Sequence, residues 1–182
     1  YLLDIAGSDK TIKDTSYAFS NQKGYGFLTD GQLLLIANRS GEGFQVLSCN
    51  TISDTMQDGK LFTNNGEFYA IGSDTTENGK QEIFVTSYTN SGMKANSYVP
   101  VSHFSDAETY RYLDIADAVQ IGDKAYLLLC TNNNRYLACY DLTQHTFTAE
   151  KLSQPYQKFV QAKGSWQLYD CDDEYYYFLQ VQ

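Results

Sequence analysis

The residues best suited to chemistry gather in one polar stretch of the second half of the chain. Asp114 and Asp117 are two carboxylates close in sequence, and Arg111 stands just before them. Two carboxylates flanking a bond supply the acid and the base or nucleophile of glycoside hydrolysis, while arginine binds anionic groups through a planar fork of donors. The stretch therefore raises the hypothesis of a carbohydrate-active enzyme, although sequence spacing does not show two carboxylates facing one cleft.

Other catalytic signatures are missing from the sequence. It has no glycine-rich phosphate loop, no zinc-protease helix motif and no nucleophile elbow. His103 and His145 are the only imidazoles, and both are expected to be non-catalytic because they border outer strands. We therefore predict no catalytic residues, no metal site and no cofactor.

An acidic run at residues 170–174 has two interpretations. Its four carboxylates are the hard oxygen ligands that calcium prefers. However, the run lacks the bend glycine and the terminal glutamate of an EF-hand loop. An acidic hairpin turn is the favoured interpretation.

The four cysteines form no metal motif. Cys49, Cys130, Cys139 and Cys171 include no CxxC pair, and the chain has only 2 His. Each lies within or beside an apolar run, which predicts buried free thiols. Cys130 and Cys139 are expected to lie on one hairpin but out of register, so that pair is disfavoured, whereas other disulfides stay open.

The composition indicates a single globular domain rich in strands. Of 182 residues, 42% are hydrophobic and 19% charged, and 16 are tyrosines, which favour half-buried pleated surfaces. The net charge of −9 argues against nucleic acid and against anionic membrane surfaces. No apolar run is long enough to insert into a membrane. Acidic, Tyr-rich and Asn-rich β-sequences of this kind are typical of extracellular or cell-envelope proteins.

The elements that would position these residues are short strands in a repeated order. Residues 118–121, 124–130, 135–142 and 146–152 alternate or run apolar, with turns at Gly122-Asp123 and at 132–134 between them. The same order predicts blade-like units at 17–50, 59–104 and 112–152, and a partial unit at 158–182 that residues 1–6 could complete. The prediction is one all-β domain over 1–182, built of four-stranded antiparallel meanders.

One segment resembles a known architecture. Residues 136–148 (Tyr-Leu-Ala-Cys-Tyr-Asp-Leu-Thr-Gln-His-Thr-Phe-Thr) are similar to the third-to-fourth-strand segment of kelch-like and related bacterial β-propellers. The glycine doublet of kelch repeats and the Trp-Asp dipeptide of WD40 repeats are missing. The resemblance implies that the units are propeller blades, with further blades supplied by a longer chain or by another subunit. A β-sandwich is the alternative fold.

A long connection separates the second and third units. Ser105 and Glu108 match a capping box that could open a short helix through Leu113, and a polar loop is the alternative. In a propeller, such connections gather on one face. We expect that face to carry a binding site, whose candidate residues are His103, Tyr110, Arg111, Asp114, Asp117 and Trp166.

The favoured functional hypothesis is a non-enzymatic binding or scaffolding propeller that recognises a protein or carbohydrate partner on one face. Tyrosine, tryptophan and arginine at the candidate face are the residue types that most often anchor interfaces. A carbohydrate-active propeller, either a glycosidase or a lyase, is the first alternative. A structural segment of a larger surface protein is the second.

Overall fold

The computed structural model describes most of the chain. Side chains are described for residues 59–75, 79, 81–88 and 113–181, and the strands elsewhere between residues 16 and 99 are described by their backbone alone. Outside the description lie residues 1–15, 21–23, 30–31, 40–42, 52–56, 76–78, 80, 90–91, 100–112 and 182.

The described elements are strands only, which confirms the all-β prediction for this part of the chain. They form four open antiparallel sheets in chain order, and within each sheet consecutive strands are neighbours. The first sheet contains β1 (Ser16–Ser20), β2 (Gly24–Thr29), β3 (Gln32–Arg39) and β4 (Gly43–Thr51). The second contains β5 (Gln57–Asn64), β6 (Glu67–Thr75), β7 (Gln81–Thr89) and β8 (Gly92–Val99). The third contains β9 (Leu113–Ile121), β10 (Lys124–Thr131), β11 (Arg135–Asp141) and β12 (Phe147–Lys151). The fourth has only β13 (Lys158–Ala162), β14 (Ser165–Cys171) and β15 (Tyr176–Gln180).

Two-residue turns join the first and second strands of the second and fourth sheets. Asn65 and Gly66 have φ of 48° and 80°, and Lys163 and Gly164 have φ of 50° and 80°. Consecutive positive φ values match the right-handed twist of the strands that a tight hairpin joins. Asparagine and glycine adopt this conformation readily, whereas Lys163 does so with steric strain.

The third sheet is buried on both faces. Alternate residues of β10, including Leu127 and Leu129, pack with side chains of the second sheet. The residues between them, including Tyr126 and Leu128, pack with side chains of the fourth sheet. The continuous apolar run of β10 therefore has the burial expected of a strand that is covered on each side.

Polar side chains hold the first strands of neighbouring sheets together. Gln120 on β9 accepts a hydrogen bond from the Thr63 N–H (3.1 Å) and donates to the Thr63 carbonyl (2.6 Å), which ties the third sheet to the second. Asp117 on β9 accepts a hydrogen bond from the Phe159 N–H (2.7 Å), which ties the third sheet to the fourth. Along the chain, β1 contacts β5, β5 contacts β9, and β9 contacts β13.

A β-bulge in β9 reverses its side-chain alternation. Asp117 pairs with Leu128 while Ile115 pairs with Leu129, so the intervening Ala116 has no cross-strand partner. Leu113 and Ile115 therefore pack towards the second sheet, and Asp117 lies on the side that faces the fourth. Asp114 pairs with Cys130 on that same side, so the bulge brings the two candidate carboxylates to one face.

The structure corrects several expected boundaries. The strand expected to begin at residue 118 begins at Leu113, so Asp114 and Asp117 belong to a strand and not to a connecting loop. In the second unit, β6 continues to Thr75 because its last residues pair with β7. Residues 105–112 of the predicted helix lie outside the described residues.

The cysteine prediction is partly wrong. Cys130 is buried and Cys139 half-buried, but Cys171 is exposed because it ends β14 at the rim of the fourth sheet. All three are free thiols. Cys130 pairs with Arg135 and Cys139 with Tyr126, which confirms that these two thiols are out of register. The side chain of Cys49 lies outside the described residues.

Candidate functional site

The exposed large apolar side chains of the described residues concentrate on β15 and the turn before it. Tyr176 is 74% exposed and Phe178 55%, while Tyr175 is 61% and Leu179 38% exposed. Isolated exposed apolar residues are ordinary, but a contiguous group of aromatic rings marks an interaction surface. The fourth sheet therefore carries the candidate functional site.

Strand register places three aromatic rings on the outer face of the fourth sheet, which we call the aromatic face. Tyr169 on β14 pairs with Phe178, and Tyr176 lies two positions before Phe178 on β15. Because side chains of a strand alternate between faces, Leu168, next to Tyr169 on β14, points the other way, into the core shared with the third sheet. The same alternation that fills the core therefore leaves the aromatic face bare.

The rings of the aromatic face contact one another. Tyr169 and Tyr176 stack with centroids 6.3 Å apart and planes inclined by 27°, and Tyr169 and Phe178 are tilted at 5.5 Å. The ammonium group of Lys158, on β13, lies 5.7 Å from the centroid of the Tyr169 ring, within cation–π range. These contacts hold the rings in place before any partner arrives, which lowers the entropy that binding would cost.

A hydrogen bond to Cys171 changes the pKa of Tyr169, the central ring of this face. Together with desolvation, it raises the pKa of Tyr169 to about 12. The hydroxyl therefore stays protonated at neutral pH and remains a hydrogen-bond donor. A tyrosine in this state offers an apolar ring and a polar tip to a partner.

The acidic turn beside the aromatic face organises itself through one carboxylate. Asp172 accepts hydrogen bonds from the Tyr177 hydroxyl (2.8 Å) and from the Glu174 and Tyr175 N–H groups (2.9 and 2.7 Å). These bonds, the one from Tyr177 first, lower the pKa of Asp172. Asp173 and Glu174 are exposed. The run thus forms a hairpin turn with a negative rim, which agrees with the favoured interpretation.

The residues that the structure describes do not group into a metal site. No set of three or more His, Cys, Asp or Glu side chains among them could hold a metal ion. Asp170, the first carboxylate of the acidic run, is buried and accepts a hydrogen bond from the Gln157 side chain (2.8 Å). One of the four carboxylates considered as calcium ligands is thus buried in the fourth sheet and bonded to a side chain of the chain itself.

Three of the six candidate residues predicted from sequence, Asp114, Asp117 and Trp166, lie among the described residues. His103, Tyr110 and Arg111 lie outside the described residues. Asp114 lies in a cross-strand row with Cys130 and Arg135. Asp117 lies on β9 of the third sheet, and Trp166 lies on β14 of the fourth sheet.

Asp117 and Trp166 both contribute to packing between the third and fourth sheets. The carboxylate of Asp117 accepts hydrogen bonds from the N–H groups of Ala118 (2.8 Å) and Phe159 (2.7 Å). Trp166 is half-buried and packs against the core between these sheets. The carboxylate of Asp117 is therefore already bonded to backbone donors, which a substrate would have to displace.

His145 belongs to a polar seam between the second and third sheets. It has φ of 57°, and its Nδ1 lies 3.4 Å from the Tyr140 hydroxyl. Its ring centroid is 6.0 Å from that of Tyr69, whose hydroxyl donates to Glu67 (3.2 Å). Burial first, and Glu67 second, raise the pKa of Tyr69 to about 12. These contacts join two sheets, and His145 remains exposed at a turn.

Sequence reasoning missed the aromatic face. Residues 175–179 (Tyr-Tyr-Tyr-Phe-Leu) were interpretable only as a strand, because a strongly apolar run looks the same whether one or both faces are covered. The available signal was the aromatic content of the run, since four of its five residues are aromatic.

Comparison with family models and with curated proteins gave no match for this chain. Among the described residues, no helix is long and apolar enough to cross a membrane.

Proposed function

We propose that this chain is a non-enzymatic binding or scaffolding protein that recognises a protein partner through the aromatic face of its fourth sheet. The observation that carries the proposal is the concentration of exposed rings at Tyr176 and Phe178, both of which contact the Tyr169 ring. Tyrosine and phenylalanine give large contact areas at low entropic cost and dominate the energetics of protein interfaces.

We further propose that the four sheets are blades of a β-propeller. Support comes from the succession of contacts between β1 and β5, β5 and β9, and β9 and β13, the first strands of the four sheets. Packing of the third sheet between the second and the fourth also supports it. In this arrangement the first strands surround a common axis and each sheet covers its neighbour.

A binding role is favoured over an enzymatic one by the state of the reactive groups that the structure describes. Burial raises the pKa of the Cys130 and Cys139 thiols, so little thiolate forms at neutral pH. Asp117 lies on the same side of β9 as Asp114, but its carboxylate is engaged by backbone donors between two sheets. The carbohydrate-active alternative would have to use the Asp117 carboxylate, which already bonds to the backbone of two sheets.

Binding assays on defined probes test this proposal. The chain and a double variant, Tyr176→Ser with Phe178→Ser, would be compared on arrays of extended peptides and of neutral and anionic oligosaccharides. We expect peptide binding that the double variant weakens by about tenfold or more, which corresponds to about 1.4 kcal/mol. Thr148→Ser, on the exposed surface of β12, is the matched control and should bind as the parent does.

Two outcomes would count against the proposal. Binding of oligosaccharides alone would replace the protein partner by a carbohydrate. Absence of any binding that depends on Tyr176 and Phe178 would remove the aromatic face as a functional site. The thermal transitions of all variants should agree, because both substituted rings are exposed.

A further inference from the structure

The outer edge of β15, which pairs with no further strand among the described residues, offers a second binding element beside the aromatic face. Resting on the proposed function, we propose that this edge accepts an additional antiparallel strand from the protein partner, and that the strand is an extended segment with basic residues at its carboxyl end. Such strand addition uses backbone hydrogen bonds for affinity and alternate side chains for specificity.

Hydrogen-bond alternation shows which backbone groups point to this edge. The Asp172 N–H donates to the Tyr175 carbonyl (3.0 Å), and the Val181 N–H donates to the Trp166 carbonyl (3.0 Å). In an antiparallel pair, residues alternate between facing their partner and facing away from it. Given the β14–β15 register, Tyr177 and Leu179 face β14.

The intervening residues of β15 therefore present their backbone groups to the open side. The N–H and C=O groups of Tyr176, Phe178 and Gln180 point away from β14. Among the described residues β15 is the last strand of its sheet, whereas in the second and third sheets the third strand pairs with a fourth. The row has the spacing of a template for one more strand.

The edge also lacks the usual protection against pairing. β15 contains no proline and no charged residue, and its pairing with β14 has no bulge. Proteins commonly use these three devices to keep exposed strand edges from associating. By comparison, β12 at the edge of the third sheet carries Glu150 and Lys151.

The electrostatic surroundings select the chemistry of the incoming strand. An antiparallel strand on β15 would end beside the turn that carries Asp172, Asp173 and Glu174, where its last residues meet three carboxylates. The third sheet shows the same strand direction within the chain, because its antiparallel outer strand ends with Lys151 opposite Tyr136, near the start of β11. A basic carboxyl end is therefore the complementary partner.

Side chains of the added strand would extend the aromatic face. Residues opposite Tyr176 and Phe178 would lie on the same side as these rings, within contact distance of a cross-strand pair. Apolar or aromatic residues at alternate positions would cover rings that are 74% and 55% exposed. The partner segment is thus alternating, apolar on one face, and basic at its end.

The two other occupants fit this edge less well. Residues 1–6 (Tyr-Leu-Leu-Asp-Ile-Ala) are mostly apolar but do not alternate, and they contain an aspartate and no basic residue. A second copy pairing through β15 would bring two acidic turns into the same interface, at opposite ends of the paired strands. Both are treated as outcomes of the test below.

Titration with synthetic peptides tests the edge. The probe is a ten-residue peptide of alternating valine and threonine with two lysines at its carboxyl end, and matched peptides carry the lysines at the amino end or two glutamates in their place. Binding is measured by isothermal titration calorimetry at low and high salt. We expect the first peptide to bind about tenfold more tightly than either control, with the difference reduced at high salt.

Two protein variants separate the edge from the aromatic face. Gln180→Pro removes an N–H that points to the open side and blocks pairing there, without removing a ladder bond to β14. Gln180→Ala keeps that N–H and is the matched control. We expect Gln180→Pro to weaken the peptide by about tenfold and Gln180→Ala to leave its affinity unchanged.

The outcomes distinguish this inference from the proposed function. If Gln180→Pro binds as the parent does while the Tyr176→Ser and Phe178→Ser double variant does not, strand addition is wrong and the aromatic face stands. If neither variant changes peptide binding, both are wrong. Peptide binding that appears only after deletion of residues 1–6, or a dimer that Gln180→Pro dissociates, would assign the edge to those occupants and overturn the inference.

Discussion

The third and fourth sheets have the same meander order, but both faces of the third are buried, whereas one face of the fourth is exposed. In the third sheet, β10 and β11 contact a neighbouring sheet on each side, and Leu127 and Leu128 are both fully buried. In the fourth sheet, one face packs on the third and the other leaves Tyr176 and Phe178 exposed. The comparison teaches that position in the stack, and not strand composition, decides whether an apolar strand becomes core or binding surface.

The largest expected difference concerns stability. Leu127→Ala should lower the free energy of unfolding by about 2–5 kcal/mol, because a fully buried side chain leaves a cavity. Phe178→Ala should change it by no more than about 0.5 kcal/mol. Urea unfolding followed by circular dichroism measures both. Equal losses would mean that the aromatic face is covered in solution, and the comparison would break.

The second prediction tests how the fourth sheet is attached. Asp117→Ala leaves the Phe159 N–H without its acceptor and should cost about 1–3 kcal/mol. Hydrogen exchange should accelerate in β13, β14 and β15 more than in β10. The reason is that the lost bond attaches the fourth sheet, through β13, to the third. Asp117→Asn retains one acceptor oxygen and should have a smaller effect. Uniform acceleration across both sheets would show that they unfold as one unit.

The third prediction compares two tyrosines whose pKa is raised to about 12. Burial is the first cause for Tyr69, so Glu67→Gln should lower its pKa only partly. The hydrogen bond to Cys171 is the first cause for Tyr169, so Cys171→Ala should bring its pKa most of the way back to the ordinary value of 10.0. Carbon-13 NMR titration of tyrosine rings measures both shifts.

These raised values also have a consequence for stability at high pH. A tyrosine whose folded pKa exceeds its unfolded value stabilises the fold fully below pH 10, and this contribution disappears as the pH rises towards 12. We expect Glu67→Gln to reduce that alkaline loss. An unchanged alkaline profile in this variant would remove Glu67 as a cause.

The smallest expected effect lies in the acidic turn. Tyr177→Phe removes the hydroxyl that most lowers the pKa of Asp172, so that pKa should rise towards its ordinary value of 3.8. The stability that Asp172 contributes is present above that pH and is lost as the pH falls through the lowered folded value. Asp141, whose pKa is lowered by the Gln144 and Thr143 N–H groups, is the internal control in a carboxyl NMR titration. A shift at both residues would indicate a general change.

Much of the local structure could be predicted from residue types. The turns at Asn65-Gly66 and Gly122 follow from residues that adopt positive φ easily. The strand β10 follows from its apolar run between two turns, although the run does not show that both of its faces are covered. By contrast, the bulge at Ala116 left no recognisable pattern, because alanine fits either a regular or a bulged strand, and it decides which way Asp117 points.

The candidate site was predictable only in its residue types. Tyrosines and carboxylates were expected at an interaction surface, but the candidates were grouped by a connecting loop, whereas Asp114 and Asp117 belong to β9 and Trp166 packs into a core. The distance between two residues along the sequence does not show whether their side chains lie on the same face of a sheet. The aromatic face arises from rings on two strands that register brings together.

The sequence by itself determined the strands, their order and most of their turns, because alternation, apolar runs and turn residues act over a few neighbouring positions. Only the tertiary structure decided which apolar faces are covered, since this depends on contacts between sheets distant in the chain. Gln120 and Asp117 show the reason most directly. Each is an ordinary polar residue in a strand, and its role appears only when another sheet supplies the Thr63 or Phe159 backbone.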